Sequence, residues 1–225
     1  MINIMNSDGS ISDKAPDKYI GMSREIARKQ IISDLRDINH LIKEEDYIHK
    51  VGYSERGNVP IEYHLSEQWF LKMEDIANPA IQAVKNNEIN FYPNHWVKTY
   101  NHWMDNIQDW CISRQLYWGH QIPVWYKKDS DRTNQDNWFV STTPPTDLEN
   151  WEQDNDVLDT WFSSWLWPFA VHGWPDIKTT KYFPTNALVT GPDIIFFWVA
   201  RMIMSGYEFM GDLPFKDVYF TSILI

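Results

Sequence analysis

Between Ala187 and Met204 the chain runs through three things in succession: a short apolar run, Ala187-Leu188-Val189, a breaker, Thr190-Gly191-Pro192, and a helical stretch opened by Asp193. No other stretch narrows the fold so far. An apolar run of that length, bounded by a breaker, is the mark of a buried parallel strand. Ile194 to Met204 is apolar on nearly every side, with Arg201 its one charge, as in a helix buried over most of its surface. Asp193 then lies where a strand feeds a helix, at the strand's carboxyl end, which is where open α/β sheets bind ligands. Position leaves two roles open for it. Aspartate is a favoured helix N-cap, and a carboxylate fixed there also suits an ammonium or hydroxyl group of a ligand.

The rest of the composition excludes more than it selects. A chain of 225 residues suits one large domain or two smaller ones. Its net charge of −11 argues against holding nucleic acid through bulk positive charge. A single cysteine, Cys111, excludes an internal disulfide and any multi-cysteine zinc site, and fits a reducing, cytoplasmic setting. No stretch approaches the roughly 20 apolar residues of a membrane span, and the N-terminus lacks the pattern of a signal peptide. The outlier is aromatic content, 16 % with 13 Trp. Aromatic side chains serve as core or stack on sugars, bases and ammonium groups.

Taken in order, the chain opens with a polar, turn-rich stretch to residue 22. The spacing of Ala27, Ile31, Leu35 and Ile38 predicts a helix from Ser23 as N-cap to about Asn39. Tyr47–Tyr53 and Val59–Leu65, about a turn at Glu55–Asn58, predict a hairpin. Asn78 before Pro79 predicts a helix start running to about Asn86. A second helix is predicted after Pro93, with Trp96, Tyr100, Trp103, Ile107 and Trp110 along one core-facing stripe. Residues 127–155 are poor in large apolar side chains and are expected as a surface insertion, with one strand at Trp138–Val140. Val218–Ile225 reads as a final buried strand. The boundary between two domains falls at residues 66 and 67.

Unaided by any family, the residues offer little chemistry. There is no phosphate loop, no G-x-G-x-x-G and no G-x-S-x-G elbow. His49 and His64 lack partners at metal-ligand spacing. Cys111 is expected to be a buried, inert thiol. Asp156 and Asp159 suit caps better than a cation site. Two readings remain. One is an α/β site for an amine or nucleotide at Asp193, with Trp161 and Trp198 as walls. The other is an acidic, Trp-rich carbohydrate-active or carbohydrate-binding module; the helical spacing of most Trp residues argues against it.

Longer motifs add a resemblance that covers nearly the whole chain. Asp109-Trp110-Cys111-Ile112-Ser113-Arg114-Gln115 with Trp118-Gly119-His120 resembles the valine/isoleucine/leucine group of class I aminoacyl-tRNA synthetases. Asp156-Val157-Leu158-Asp159-Thr160-Trp161-Phe162-Ser163-Ser164 resembles the valine branch, the valyl-tRNA synthetases, in particular. So do Thr190-Gly191 with Asp193 to Ile203, and Pro214-Phe215-Lys216-Asp217-Val218-Tyr219.

That resemblance implies a fold: the second half of a Rossmann-type catalytic domain over 67–225. Residues 1–66 then resemble the C-terminal part of an inserted editing domain and its β-ribbon linker. It implies that Asp193 receives the α-ammonium of valine, that Ile194, Trp198 and Trp161 wall the side-chain pocket, and that Gly191 lies where the adenylate approaches the backbone. Arg114 faces the acceptor end of tRNA or the nucleotide, or serves a structural ion pair. The implied substrates are valine, ATP with Mg2+, and tRNA(Val), in a cytoplasmic, monomeric enzyme. The family's HIGH, KMSKS and T-P-A-H-D segments are absent from these residues, so an internal fragment without catalysis of its own is expected, and one that is marginally stable. The ribbon's paired cysteines are absent too, so zinc is not expected. Tyr117, Gln121 and Pro192 depart from the commoner Trp, Arg and larger or polar residues.

Overall fold

The computed structural model of the chain describes residues 2–55, 57–176 and 181–222. They form two compact units, Met1–Glu67 and Gln68–Ile225. Among them no helix is long and apolar enough to cross a membrane.

In the first unit, the helix α1 (Arg24–Asp37) starts where its cap predicts: Ser23 Oγ accepts the Ile26 amide at 3.4 Å. Its core is small. Ala27 is buried against Ile11 and Ala15, while Ile31 and Leu35, one and two turns on, stay exposed. The hairpin is a correction. The chain does reverse, with Ser54 donating to Val59 and Ile61 to Gly52 at 2.9 Å. Yet only an isolated bridge, Tyr53 to Pro60, forms, and neither strand exists. Alternation along Val59, Ile61, Tyr63 and Leu65 makes a strand only where one face has something to pack on. Here Ile48 and Tyr63 are each 98 % exposed.

The second unit carries the main core. It begins with β1 (Phe70–Leu71) and α2 (Glu74–Lys85). The helix starts a turn before the predicted Asn78-Pro79 signal, leaving Pro79 inside it. The reason is tertiary: Asp109, 36 residues away, accepts the Met73 amide at 3.2 Å and satisfies the helix N-terminus. Next come β2 (Asn90–Tyr92) and α3 (Trp96–Met104). The aromatic stripe overruns α3. Tyr100 is buried within it, but Ile107 lies beyond its end and Trp110 belongs to β3 (Trp110–Cys111).

After β4 (Ser113–Arg114) comes a small antiparallel sheet whose central strand is buried and begins before the expected insertion at 127–155, which adds two strands, not one. Its strands are β5 (Val124–Lys127), β6 (Trp138–Val140) and β7 (Trp151–Gln153), in the order β6-β5-β7. Strand β8 (Val157–Leu158) pairs with β4. It leads into the short helices α4 (Thr160–Ser164) and α5 (Trp167–Ala170).

The organising stretch holds, with corrections. Strand β9 (Thr185–Thr190) is followed by a 3-10 turn at Pro192–Ile194 and a long helix. That helix is π-wound over Ile195–Ala200, α over Arg201–Ser205 (α6), and π-wound again over Gly206–Met210. The last strand, β10 (Phe215–Phe220), lies between β2 and β9, and both neighbours run parallel to it. The predicted end of this strand at Ile223–Ile225 lies outside the described residues. Strand β9 is not buried as expected. It is paired on one side only among the described residues, and Val189 is 64 % exposed.

The core forms where α2, α3 and the long helix cover this sheet. Ala77, Ala80 and Ala83 let α2 approach closely, and Val199, Met202, Ile203 and Met204 fill the space with no more than 1 % exposure. Each such fully buried aliphatic side chain contributes roughly 1.5–3 kcal/mol of transfer free energy.

Candidate functional site

The carboxyl ends of β2, β9 and β10 set one edge of the site. Asp193 stands just past β9, exposed, within the 3-10 turn. It is not the cap that its position allows. The turn's N-cap is Gly191, no side chain caps it, and Asp193 has no side-chain hydrogen bond among the described residues. The Asp193 carboxylate folds back over Gly191 so closely that a Cβ at Gly191 would collide with it. A side chain at Gly191 would therefore displace the Asp193 carboxylate.

Two of the proposed pocket walls are each tied to α4 or the long helix, though not, among the described residues, to each other. Trp161 stacks on Phe197 with ring centroids 5.8 Å apart, and the Trp198 indole donates to the Ser164 carbonyl at 3.0 Å. Both Trp residues are half-buried against the core. Ile194, also half-buried, closes the 3-10 turn.

Behind Trp161 lies a cleft of about 550 Å³ between the end of α3, β3 and the long helix. Trp161 and Arg114 line it; Gly191, Asp193, Ile194 and Trp198 do not. Its walls carry an ionic cluster. Asp159, 6 % exposed, caps α4 by accepting the Trp161 amide at 3.0 Å through Oδ1. Its Oδ2 accepts the Trp110 indole at 3.1 Å and Arg114 Nη2 at 2.5 Å. The ion-pair role of Arg114 is therefore filled, while its side chain stays 38 % exposed to the cleft. Asp156, the other member of the spaced pair, accepts from Gln115 instead.

Arg201 is the residue that sequence reading passed over. It is 5 % exposed, and its guanidinium carbon sits 3.5 Å from the centroid of the Trp110 ring. Its Nε and Nη1 have no hydrogen-bond partner among the described residues. Burial lowers its pKa to about 10, against the pull of Asp159, so it remains a cation at neutral pH. The signal was there: one charge in an apolar helix is rarely idle, because a buried guanidinium must be offset by a nearby anion or an aromatic face.

Cys111 is half-buried, not buried. It borders the cleft, with Sγ 3.7 Å from Gln68 Oε1. His49 and His64 are exposed, and no three His, Cys, Asp or Glu gather as metal ligands among the described residues. Nothing here favours the carbohydrate reading: Trp110 and Trp165 are core, and Trp69 and Trp138 pack on each other.

Comparison with known proteins agrees with this architecture. The chain is 51 % identical over 233 residues to the valine–tRNA ligase of Chlorobaculum tepidum, an alignment spanning 100 % of this chain and 25 % of that protein. It is 51 % identical over 227 residues to the valine–tRNA ligase of Bacillus subtilis, spanning 99 % and 25 %. The chain thus covers about a quarter of the length of these curated relatives. Among solved structures, the apo form of Mycobacterium tuberculosis methionyl-tRNA synthetase is similar with a TM-score of 0.51 at 16 % identity, over 78 % of this chain and 30 % of that one. At that identity the likeness speaks for the fold alone. The family model described as tRNA synthetases class I (I, L, M and V) matches residues 18–225, and the chain belongs to that family.

Proposed function

We propose that the chain is the valine-recognising part of a longer valine–tRNA ligase, which joins valine to tRNA(Val) through an adenylate made with ATP. The observation that carries this reading is a likeness to valine–tRNA ligases that runs from end to end of the chain, half of its positions matching. The geometry supports it at Asp193, an exposed carboxylate without a side-chain partner at a parallel strand's end, as an incoming ammonium needs.

In this reading Ile194, Trp198 and Trp161 wall a slot sized for valine. Such a slot excludes isoleucine by size and rejects near-isosteric threonine poorly. Gly191 lets the adenylate approach the backbone. Arg114, held by Asp159, turns its open side toward the acceptor end of tRNA or the nucleotide. Residues 67–225 then form the second half of the Rossmann-type catalytic domain, and 1–66 the end of an editing domain and its linker. The whole ligase is a cytoplasmic monomer. Magnesium accompanies ATP in such a reaction; among the described residues no three His, Cys, Asp or Glu gather to hold it.

The test is Asp193→Asn in the full-length ligase, followed by valine-dependent ATP–pyrophosphate exchange. Removing the carboxylate charge leaves the bound ammonium without its partner, so kcat/KM for valine is expected to fall about a hundredfold or more. An unchanged kcat/KM overturns the assignment.

A further inference from the structure

We infer that Asp159 is the positioning residue of the site, setting the Trp161 wall with one carboxylate oxygen and Arg114 with the other; the inference rests on the valine-slot reading above. Asp159 meets the proposed slot only at the backbone amide of Trp161. It is tied on every side: its amide donates to the Ile112 carbonyl at 2.7 Å, Oδ1 accepts from the Trp161 amide, and Oδ2 accepts from Trp110 and Arg114.

Three observations make this more than a buried ion pair. First, α4 has five residues, hardly more than one turn, so its own hydrogen bonds cannot hold Trp161 in place. The cap does that, and the Phe197 stack and the Trp198–Ser164 bond depend on the turn it fixes. Second, the cluster holds two guanidinium groups and one paired carboxylate. Arg201 lies on the face of the same Trp110 ring whose indole N–H reaches Asp159. Removing the Asp159 charge leaves Arg114 and Arg201 facing one another unopposed in a half-dry cleft. Third, the two oxygens do separate work. Oδ1 serves the backbone of α4, and Oδ2 serves side chains on β3 and β4. The amino-acid slot and the residue facing the second substrate are therefore anchored to one group.

Serine keeps a cap acceptor but deletes Oδ2, and alanine deletes both. In the full-length ligase, Asp159→Ala is expected to raise the KM for valine in pyrophosphate exchange about tenfold with little change in kcat. Asp159→Ser is expected to keep that KM within about twofold and to slow transfer to tRNA about tenfold, because Arg114 then keeps only its Nη1 bonds to the Cys111 and Ser113 carbonyls and loses its anionic partner. Trp161→Leu is the control on the slot itself. If Trp161→Leu raises the valine KM and Asp159→Ala does not, the inference is overturned and the slot stands. If neither moves it, the slot reading has failed. Should the alanine protein not fold, the serine protein decides alone: unequal loss in the two steps supports the assignment, and equal loss overturns it.

Discussion

Tyr100 is fully buried where α2 and α3 meet, and its hydroxyl donates to the Ala80 carbonyl at 2.9 Å. Burial pushes its phenol well above the ordinary value of 10, since the ionised form cannot be solvated there. Tyr207 is pushed up to about 12 by burial, with Glu88 adding to the effect. Both groups are neutral in the folded and unfolded chain below pH 10. Above it the unfolded phenols ionise first, so stability present below pH 10 is lost as the pH rises further. A thermal midpoint measured from pH 7 to 11.5 should hold level to about pH 9.5 and then fall. Tyr100→Phe should cost about 1 kcal/mol at neutral pH and make that alkaline fall shallower; a fall of unchanged steepness would remove Tyr100 from the explanation. At this scale the sequence was most legible where a residue acts on its near neighbours, as Ser23 caps α1. The cap role of Asp159 was legible for the same reason; least legible were its other partners and those of Arg201, which come from β3 and β4, some 45 to 90 positions earlier in the chain.

Among the elements, the long helix after Asp193 is the most unusual, with π-wound ends around a single α-helical turn. Such windings are rare and concentrate at functional sites. It stops at Gly211 in the left-handed region, φ 71°, the usual C-terminal glycine. Five residues earlier, Gly206 lets the turn back to β10 press on the helix. A Cβ there would stand 2.9 Å from the Asp212 carbonyl oxygen and 2.9 Å from Pro214 Cδ. Gly206→Ala should therefore destabilise the protein by about 1–3 kcal/mol, seen as a lower denaturant midpoint with an unchanged slope. The order strand, breaker, helix was readable because apolar runs on either side of Gly191-Pro192 fix it locally. The exposure of Val189 was not, because an apolar run looks alike in a central and an edge strand. The start of α2 and the end of α3 escaped for one reason: Asp109 and the fold of β3 decide them, and neither lies within the helices. Asp193, Trp161 and Trp198 were offered by position and residue type, Ile194 and Gly191 by motif resemblance; the cleft behind Trp161 required the packed structure.

Taken whole, the chain has an uneven distribution of order. From residue 40 to 66 it forms no helix or strand among the described residues, and Ile42, Ile48 and Tyr63 are at least 98 % exposed. Brief chymotrypsin treatment should cut at Tyr47 and Tyr63 and leave a resistant piece beginning near Gln68; rapid cutting within 74–104 instead would contradict the compactness of that unit. The three-stranded parallel sheet carries a different consequence. Its central strand, β10, is the last to be made, and its two partners wait for it: Asn90 pairs across 127 positions with Asp217, and Thr185 across 30 with Phe215. On a ribosome, β2 and β9 therefore emerge before the strand that joins them to each other. Pairing in this three-stranded sheet is therefore non-local and late, and the faces that Val218 and Phe215 bury are closed only once β10 has been made.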